Sequence, residues 1–425
     1  MKNTTRAFLC CGGSVVNIGF SFLSMNLVGL FCVPLASKLG VEYSQLAIIW
    51  TTLTFGSIIG RYFAGQLFDK FNPKVLCAGG AISYLLALVC LIFIKSTTTA
   101  YILFFFVGIT NVFAGTLPFQ LLGSKWIGIG RGTIIGMTAI FSAIFDMIFA
   151  PIVASYATKY GFEKTAIISG IILFVCHVAV SLICISREPS AYGMEPVDLK
   201  FLEGKDKKSA TANEIYETKM PIRKIMKLPV FWVLMFIPLL ISLAQQSFYS
   251  NRAGVFNSMG LDLTQVAFLV GLYSIGNCIL VWGFGFLCDK IGFRKTILGY
   301  ASIGAILWFA WPGLKSMLFV GGLIITFFAN VSQINNYFGP NVMIPLFGLN
   351  KSNKLISWST MIAAAGGMIA PLIVSLVSSY DTIFLMAASI YVVVFMLTLV
   401  ATKPSSIAKI KEEDKVYMEE NNIIA

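Results

Sequence analysis

The sequence predicts an all-α membrane protein: twelve transmembrane helices in two six-helix bundles that are parallel repeats, with both termini cytoplasmic. Three observations carry this. Of the 425 residues, 57% are hydrophobic and 12% charged, with a mean hydropathy of +0.83; a soluble chain carries about twice that share of charge. The apolar residues gather in runs long enough for membrane helices, without the alternation of membrane strands. The chain also repeats itself: Gly65-Gln66-Leu67-Phe68-Asp69-Lys70 is echoed by Gly285-Phe286-Leu287-Cys288-Asp289-Lys290. The same offset of 220 residues relates Arg131 to Lys351, Ala150-Pro151 to Ala370-Pro371 and Tyr160 to Tyr380. Landmarks sharing one register mark two copies running in the same direction.

In order, the spans cover 8–32, 45–67, 75–95, 100–121, 133–156, 165–186, 229–250, 265–287, 296–314, 317–343, 356–379 and 382–402. Backbone polar groups cannot stay unpaired in hydrocarbon, so each must be a helix. The apolar run after Met1–Arg6 is too long for the core of a signal peptide and reads as the first span. With the N-terminus inside, 24 of the 31 Lys and Arg fall on the cytoplasmic side. Six fall outside (Lys38, Lys95, Lys159, Lys164, Arg252 and Lys315), and Arg61 lies within a span. This bias orients the chain and accounts for the net charge of +12 without nucleic acid. The expected domains are a bundle at 1–186, a cytoplasmic linker at 187–228, a second bundle at 229–402 and a tail at 403–425. Pro221–Leu228 suits a short amphipathic helix on the inner membrane surface, and the polar tail is expected to be mobile. The nine cysteines show no CxxC pair and no Cys/His ligand spacing, so they read as space-filling thiols.

The repeated loops set glycine, aspartate and base together at a helix end. Gly65 and Gly285 allow close approach of a neighbouring helix. Asp69 and Asp289 are suited to accept hydrogen bonds from a helix N-terminus or to pair with a cation. Arg131 and Lys351, which open the fifth and eleventh spans, are the candidate partners, and Arg294 adds base after the second copy. Such a contact is a latch that holds one conformation and breaks in another. Topology alone would explain the bases, but not the repeated Gly-x-x-x-Asp.

GQLFDKFNPK at 65–74 and GFLCDKIGFRK at 285–295 resemble the loop signature of the major facilitator superfamily, with Asn72 where a glycine is usual. RGTIIGMTAIFSAIFDMIFAPI at 131–152, REPSAYGMEP at 187–196 and GGMIAPLIVSLVSSY at 366–380 are similar to the oxalate–formate and monocarboxylate transporter branch. The resemblance implies alternating access to a central site lined by the first, fourth, seventh and tenth helices, without a cofactor or metal. Carriers of the oxalate–formate type are expected to hold a cation in the eighth helix and a lysine in the eleventh. Here the eighth helix has Val281 at the repeat mate of Arg61, and residues 357–378 contain no lysine. That disfavours a dicarboxylate.

Ionisable side chains at membrane depth are costly, so each is a candidate site. Arg61 lies about 12 Å along its helix from Asp69, at 1.5 Å per residue. It suits one carboxylate through a bidentate pair, or else pairs with a helix end or with Asp146. Asp146 is a candidate for the coupling proton, for the counter-ion of Arg61, or for contact with a cationic substrate. His177, the one histidine, reads as structural, with a proton role as the alternative. Gln245, Tyr249 and Arg252 form a stripe on the seventh span, with Arg252 near its outer end as a candidate gate. Asn330, Gln333 and Tyr337 form another on the tenth, and Asn17 punctuates the first. Each is a substrate-binding candidate or glue between helices.

No GxxxxGK[ST] loop is present to power transport with ATP, and one histidine leaves no catalytic triad. The chain is therefore not expected to be an enzyme. The expected function is secondary active transport of a small organic anion, a monocarboxylate, by proton symport or anion exchange. The alternative is a proton-coupled exporter of cationic or neutral amphiphiles. The expected setting is a prokaryotic inner membrane, with the protein working as a monomer.

Overall fold

The computed structural model describes residues 3–41, 46, 48–128, 130–197, 217–249, 252–261, 263–377 and 379–421. Helices α1 (Asn3–Leu39), α2 (Ile49–Lys70), α3 (Pro73–Phe93), α4 (Thr97–Leu121), α5 (Arg131–Tyr160) and α6 (Phe162–Cys184) account for the first six predicted spans. Helices α7 (Pro229–Tyr249), α8 (Leu263–Ile291), α9 (Phe293–Phe309), α10 (Leu318–Phe347), α11 (Ser352–Leu376) and α12 (Tyr380–Ala401) account for the other six. Seven helical stretches among the described residues are long and apolar enough to cross a membrane. The described residues contain no strand, only an isolated bridge between Ile127 and Val197. This is a multi-pass, all-α membrane protein.

The chain forms two compact units, one of Met1–Gly128 with Met137–Leu199, the other of Ile129–Gly136 with Lys200–Ala425. In the first, a core of Leu27, Phe31, Leu35, Tyr84, Leu88, Phe104 and Leu173 joins α1, α3, α4 and α6. α2 lies directly on α4. A Cβ at Gly56 would strike the Phe105 carbonyl, and one at Gly108 the Leu53 carbonyl, so glycine permits backbone-to-backbone contact. α3 begins at Asn72, whose side chain accepts from the Lys74 N–H at 3.1 Å, with Pro73 in the first turn. That explains the departure from glycine at this position. Asn72 has an extended backbone with φ −70° and caps with its side chain, whereas Gly292 in the second copy has φ +85° before α9, a conformation that favours glycine.

In the second unit α7 packs on α11, where a Cβ at Gly366 would strike the Leu239 carbonyl. α9 packs on α12, with Gly304 against the Tyr391 ring. Trp308 stacks on Phe384 at 4.5 Å and 9° between planes, and the Trp311 indole N–H donates to Asp381, in the first turn of α12, at 2.6 Å. The stretch expected as an amphipathic helix holds a short helix at Ile222–Ile225.

The expectation of a mobile tail is wrong as far as Glu420. Pro404–Glu420 forms a further helix, α13, whose Asp414 is 1% exposed. Its carboxylate accepts from the Thr218 hydroxyl at 2.8 Å and from the Lys219 and Met220 N–H groups at 2.9 and 2.8 Å. A carboxylate with three donors is satisfied when buried, so a largely polar helix docks through Asp414 together with Ile410, which is buried one turn earlier. Lys224 reaches Glu420 at 3.0 Å and lies over the Tyr417 ring.

Candidate functional site

Each unit carries its own polar set. In the first, Arg61 stands on α2, whose Gly56, Gly60 and Ala64 are buried. It is half-buried, its Nε meets no hydrogen-bond partner, and no carboxylate among the described residues pairs with it. A guanidinium retains its charge across the physiological range, so this is a cation with donors to spare. Asn17 on α1 is buried; its Nδ2 donates to Ser181 on α6 at 3.0 Å, while Oδ1 meets no partner. Ser21, one turn on, donates to Asn111 on α4 at 3.0 Å. Asn17 and Arg61 do not bond to each other. The α5 backbone carries residue 146, but the side chain of Asp146 lies outside the described residues.

His177 is fully buried, and its two ring nitrogens have different partners. In α3 the Ala81 N–H turns back to the Ala78 carbonyl at 3.2 Å. That is one residue short of α-helical register, so the Cys77 carbonyl is released. Nε2 of His177 meets this carbonyl at 3.1 Å. A carbonyl only accepts, so Nε2 carries the proton and Nδ1 accepts from the Tyr84 hydroxyl at 3.0 Å. A second proton would turn Nδ1 into a donor and remove the acceptor that Tyr84 uses. The chain of bonds ends on a backbone carbonyl, which cannot pass a proton onward.

In the second unit Gln245 is buried on α7, and Tyr249 is 40% exposed one turn later. Asn330 is fully buried on α10, and its amide donates to the Tyr273 carbonyl of α8 at 3.1 Å and to the Thr326 carbonyl at 2.9 Å. It ties α10 to α8. Tyr337 is buried, and its carbonyl accepts from the Asn341 amide at 2.8 Å. The side chain of Gln333 lies outside the described residues. Residues 329–334 form a 3-10 turn, so positions 330 and 333 eclipse along the helix.

The second repeated loop makes a specific contact inside this unit. The Asp289 carboxylate accepts from the Gly132 N–H at 3.0 Å, the Thr133 N–H at 2.6 Å and the Thr133 hydroxyl at 2.7 Å. These are the unsatisfied donors that open α5. Gly285 makes the approach possible, because a Cβ there would strike the Gly132 carbonyl. Burial pushes the Asp289 carboxyl above its ordinary range, against the opposing pull of Thr133, Gly132 and the Arg131 charge. Thr133 went unnoticed in the sequence. Its signal was its place two residues past Arg131, in the first turn of a helix.

Lys351, the repeat mate of Arg131, donates to the Thr218 carbonyl at 2.6 Å, with Glu217 accepting from Leu349 N–H at 2.7 Å beside it. Gly65 is buried at the end of α2 close to Asp69, and Arg294 lies in the first turn of α9. Among the described residues no group of three or more His, Cys, Asp or Glu is placed to hold a metal ion.

A family profile described as Major Facilitator Superfamily matches residues 14–344. The chain is 22% identical over 307 residues to the oxalate:formate antiporter of Oxalobacter formigenes, covering 70% of this chain and 68% of that one. It is 24% identical over 345 residues to the uncharacterised MFS-type transporter YhjX of Escherichia coli K12, covering 79% of each. Among solved structures it is similar to a bacterial homologue of the iron transporter ferroportin (TM-score 0.68, 11% identity, 95% of this chain and 100% of that one). It is also similar to the E. coli fucose:proton symporter FucP (TM-score 0.64, 16% identity, 95% and 100%). At these identities the solved structures speak for the fold alone.

Proposed function

Because this chain belongs to the Major Facilitator Superfamily of transporters, we propose that it moves a small organic anion, a monocarboxylate, by alternating access. Arg61 carries the reading: a membrane-depth guanidinium whose Nε has no partner and which no carboxylate neutralises among the described residues. Its planar fork matches one carboxylate bidentately, and in low dielectric that pair is far stronger than in water. The relative whose name states its cargoes, the oxalate:formate antiporter, handles organic anions, which supports the class. Val281 at the repeat position supports a substrate with one carboxylate rather than two.

Asn17, Gln245, Tyr249, Gln333 and Tyr337 are the neutral groups that would orient the rest of the substrate. Asn330 joins α8 to α10 through its amide N–H groups and keeps an Oδ1 without a partner, which is available to the substrate. Asp146 is the candidate for the coupling proton; exchange against a second anion needs no such group. Asp289 with Thr133 would be a latch that opens and closes during the cycle, and Asp69 is its repeat counterpart.

Uptake of labelled formate, acetate, lactate and pyruvate into proteoliposomes tests this. Arg61→Ala is expected to abolish uptake of the transported acid while the protein still inserts. Uptake by Arg61→Ala with unchanged affinity would sink the reading.

A further inference from the structure

The six basic residues that the charge bias assigns to the outer side have different surroundings. Lys38 pairs with Glu163 at 2.6 Å, and Lys315 approaches Asp381 at 3.5 Å. Among the described residues Arg252 has no such counter-charge. Its guanidinium carbon lies 4.4 Å from the centroid of the Tyr249 ring and 5.3 Å from that of Tyr273. The two rings are 5.8 Å apart. Among the described residues Arg252 forms no hydrogen bond and no ion pair.

All three residues belong to the second unit. Tyr273 is buried and anchors the cluster on α8, while Tyr249 is 40% exposed and leaves one side open. Tyr273, the member on α8, stands 16 residues before Asp289, about 24 Å along the helix at 1.5 Å per helical residue. Gln245 lies one turn back from Tyr249 on the same face of α7.

The arrangement has a chemical meaning. Cation–π contact engages the face of a guanidinium and leaves its rim of N–H donors unused. Two rings restrain a side chain that would otherwise lose much rotamer entropy on binding. A corner arginine that served only packing would be expected to spend its donors on carbonyls or a carboxylate, as Lys351 and Lys38 do. A held cation with an open donor rim is a preorganised carboxylate site, and on a face poor in cations it also steers anions.

We propose that Arg252, held by Tyr249 and Tyr273, is a second carboxylate-recognition point, which captures the anion at the outer end of α7. It rests on the anion reading of Arg61 but is a separate site on a separate residue.

Arginine-directed labelling of wild-type protein separates the two. Sealed proteoliposomes are treated with phenylglyoxal, with and without lactate, acetate or oxalate, and modified peptides are quantified by mass spectrometry. Arg252 is expected to label readily and to be protected by the carboxylate. Labelling should slow about tenfold at ten times the half-protecting concentration, by mass action. Sodium chloride at equal ionic strength should protect far less. Protection of Arg61 without protection of Arg252 overturns this proposal and leaves the transport reading standing. Protection of Arg252 alone keeps the capture point and removes the role of Arg61. Failure of Arg252 to label, or equal protection by chloride, overturns carboxylate recognition there. In transport, Arg252→Lys and Arg252→Gln are expected to raise KM with kcat nearly unchanged, because an ammonium cannot fork and an amide carries no charge. An unchanged KM counts against the proposal.

Discussion

At membrane depth, His177 and Arg61 are both ionisable, and their surroundings separate them. His177 is enclosed by partners that need one neutral tautomer: the Cys77 carbonyl on Nε2 and the Tyr84 hydroxyl on Nδ1. Arg61 keeps an Nε without a partner. One is spent on architecture and the other is available. His177→Phe should orphan a carbonyl and a hydroxyl, each at about 1–3 kcal/mol, and lower the melting temperature of the purified protein. His177→Gln, where it folds, should keep the wild-type pH profile of uptake. A shifted pH profile with unchanged stability would instead make His177 a proton-transferring group. Both residues could be picked out in the sequence as rare charges in apolar runs. Their difference could not, because it depends on a carbonyl released by an irregular turn about 100 residues away in the chain.

Among the elements, α13 is one that sequence reasoning missed, as is the short helix Arg252–Ser258. Composition classed 403–425 as a polar tail, since the helix has no apolar face large enough to signal burial. Its docking comes from Asp414 and the donors at 218–220, some 196 residues away. Carboxylate and donors each look like ordinary surface chemistry alone. The same residues bind the loop before α11: Glu217 accepts from Leu349 N–H, and Lys351 donates to the Thr218 carbonyl. The end of the linker is therefore held from two sides. Asp414→Ala takes the acceptor from the Thr218 hydroxyl and the Lys219 N–H and leaves the Met220 N–H only the Thr218 hydroxyl oxygen at 3.3 Å, at about 1–3 kcal/mol for each donor left buried and unmatched. Limited proteolysis should then cut near 217–220 and within α13 markedly faster than in wild type. Equal cleavage rates would mean that α13 docks for other reasons.

For the whole molecule, the repeat and the spans were legible because lipid imposes them. Hydrocarbon demands helices of a minimum length, and a duplicated unit keeps its landmarks at a constant offset. The charge bias predicts the orientation: fluorescent-protein fusions after Ala425 are expected to light up in the cytoplasm, and phosphatase fusions after Lys95 or Lys315 to be active outside. The reverse pattern would overturn the topology and, with it, the outer placement of Arg252.

The resemblance of the loops at 65–74 and 285–295 to a known family implied the transporter class, and composition, span length and the 220-residue offset were enough to define the helices and the repeat. These are set by solvent and by local spacing, which a linear chain displays. Folding alone decided which polar residues bond to each other. It used Asn330 and His177 in ties between helices, set Asp289 on the start of α5, docked α13 through Asp414, and left Arg61 and Arg252 without counter-charges among the described residues. Hydrogen bonding is directional and works within about 3 Å, so a partner far along the chain leaves no trace in the spacing of either residue.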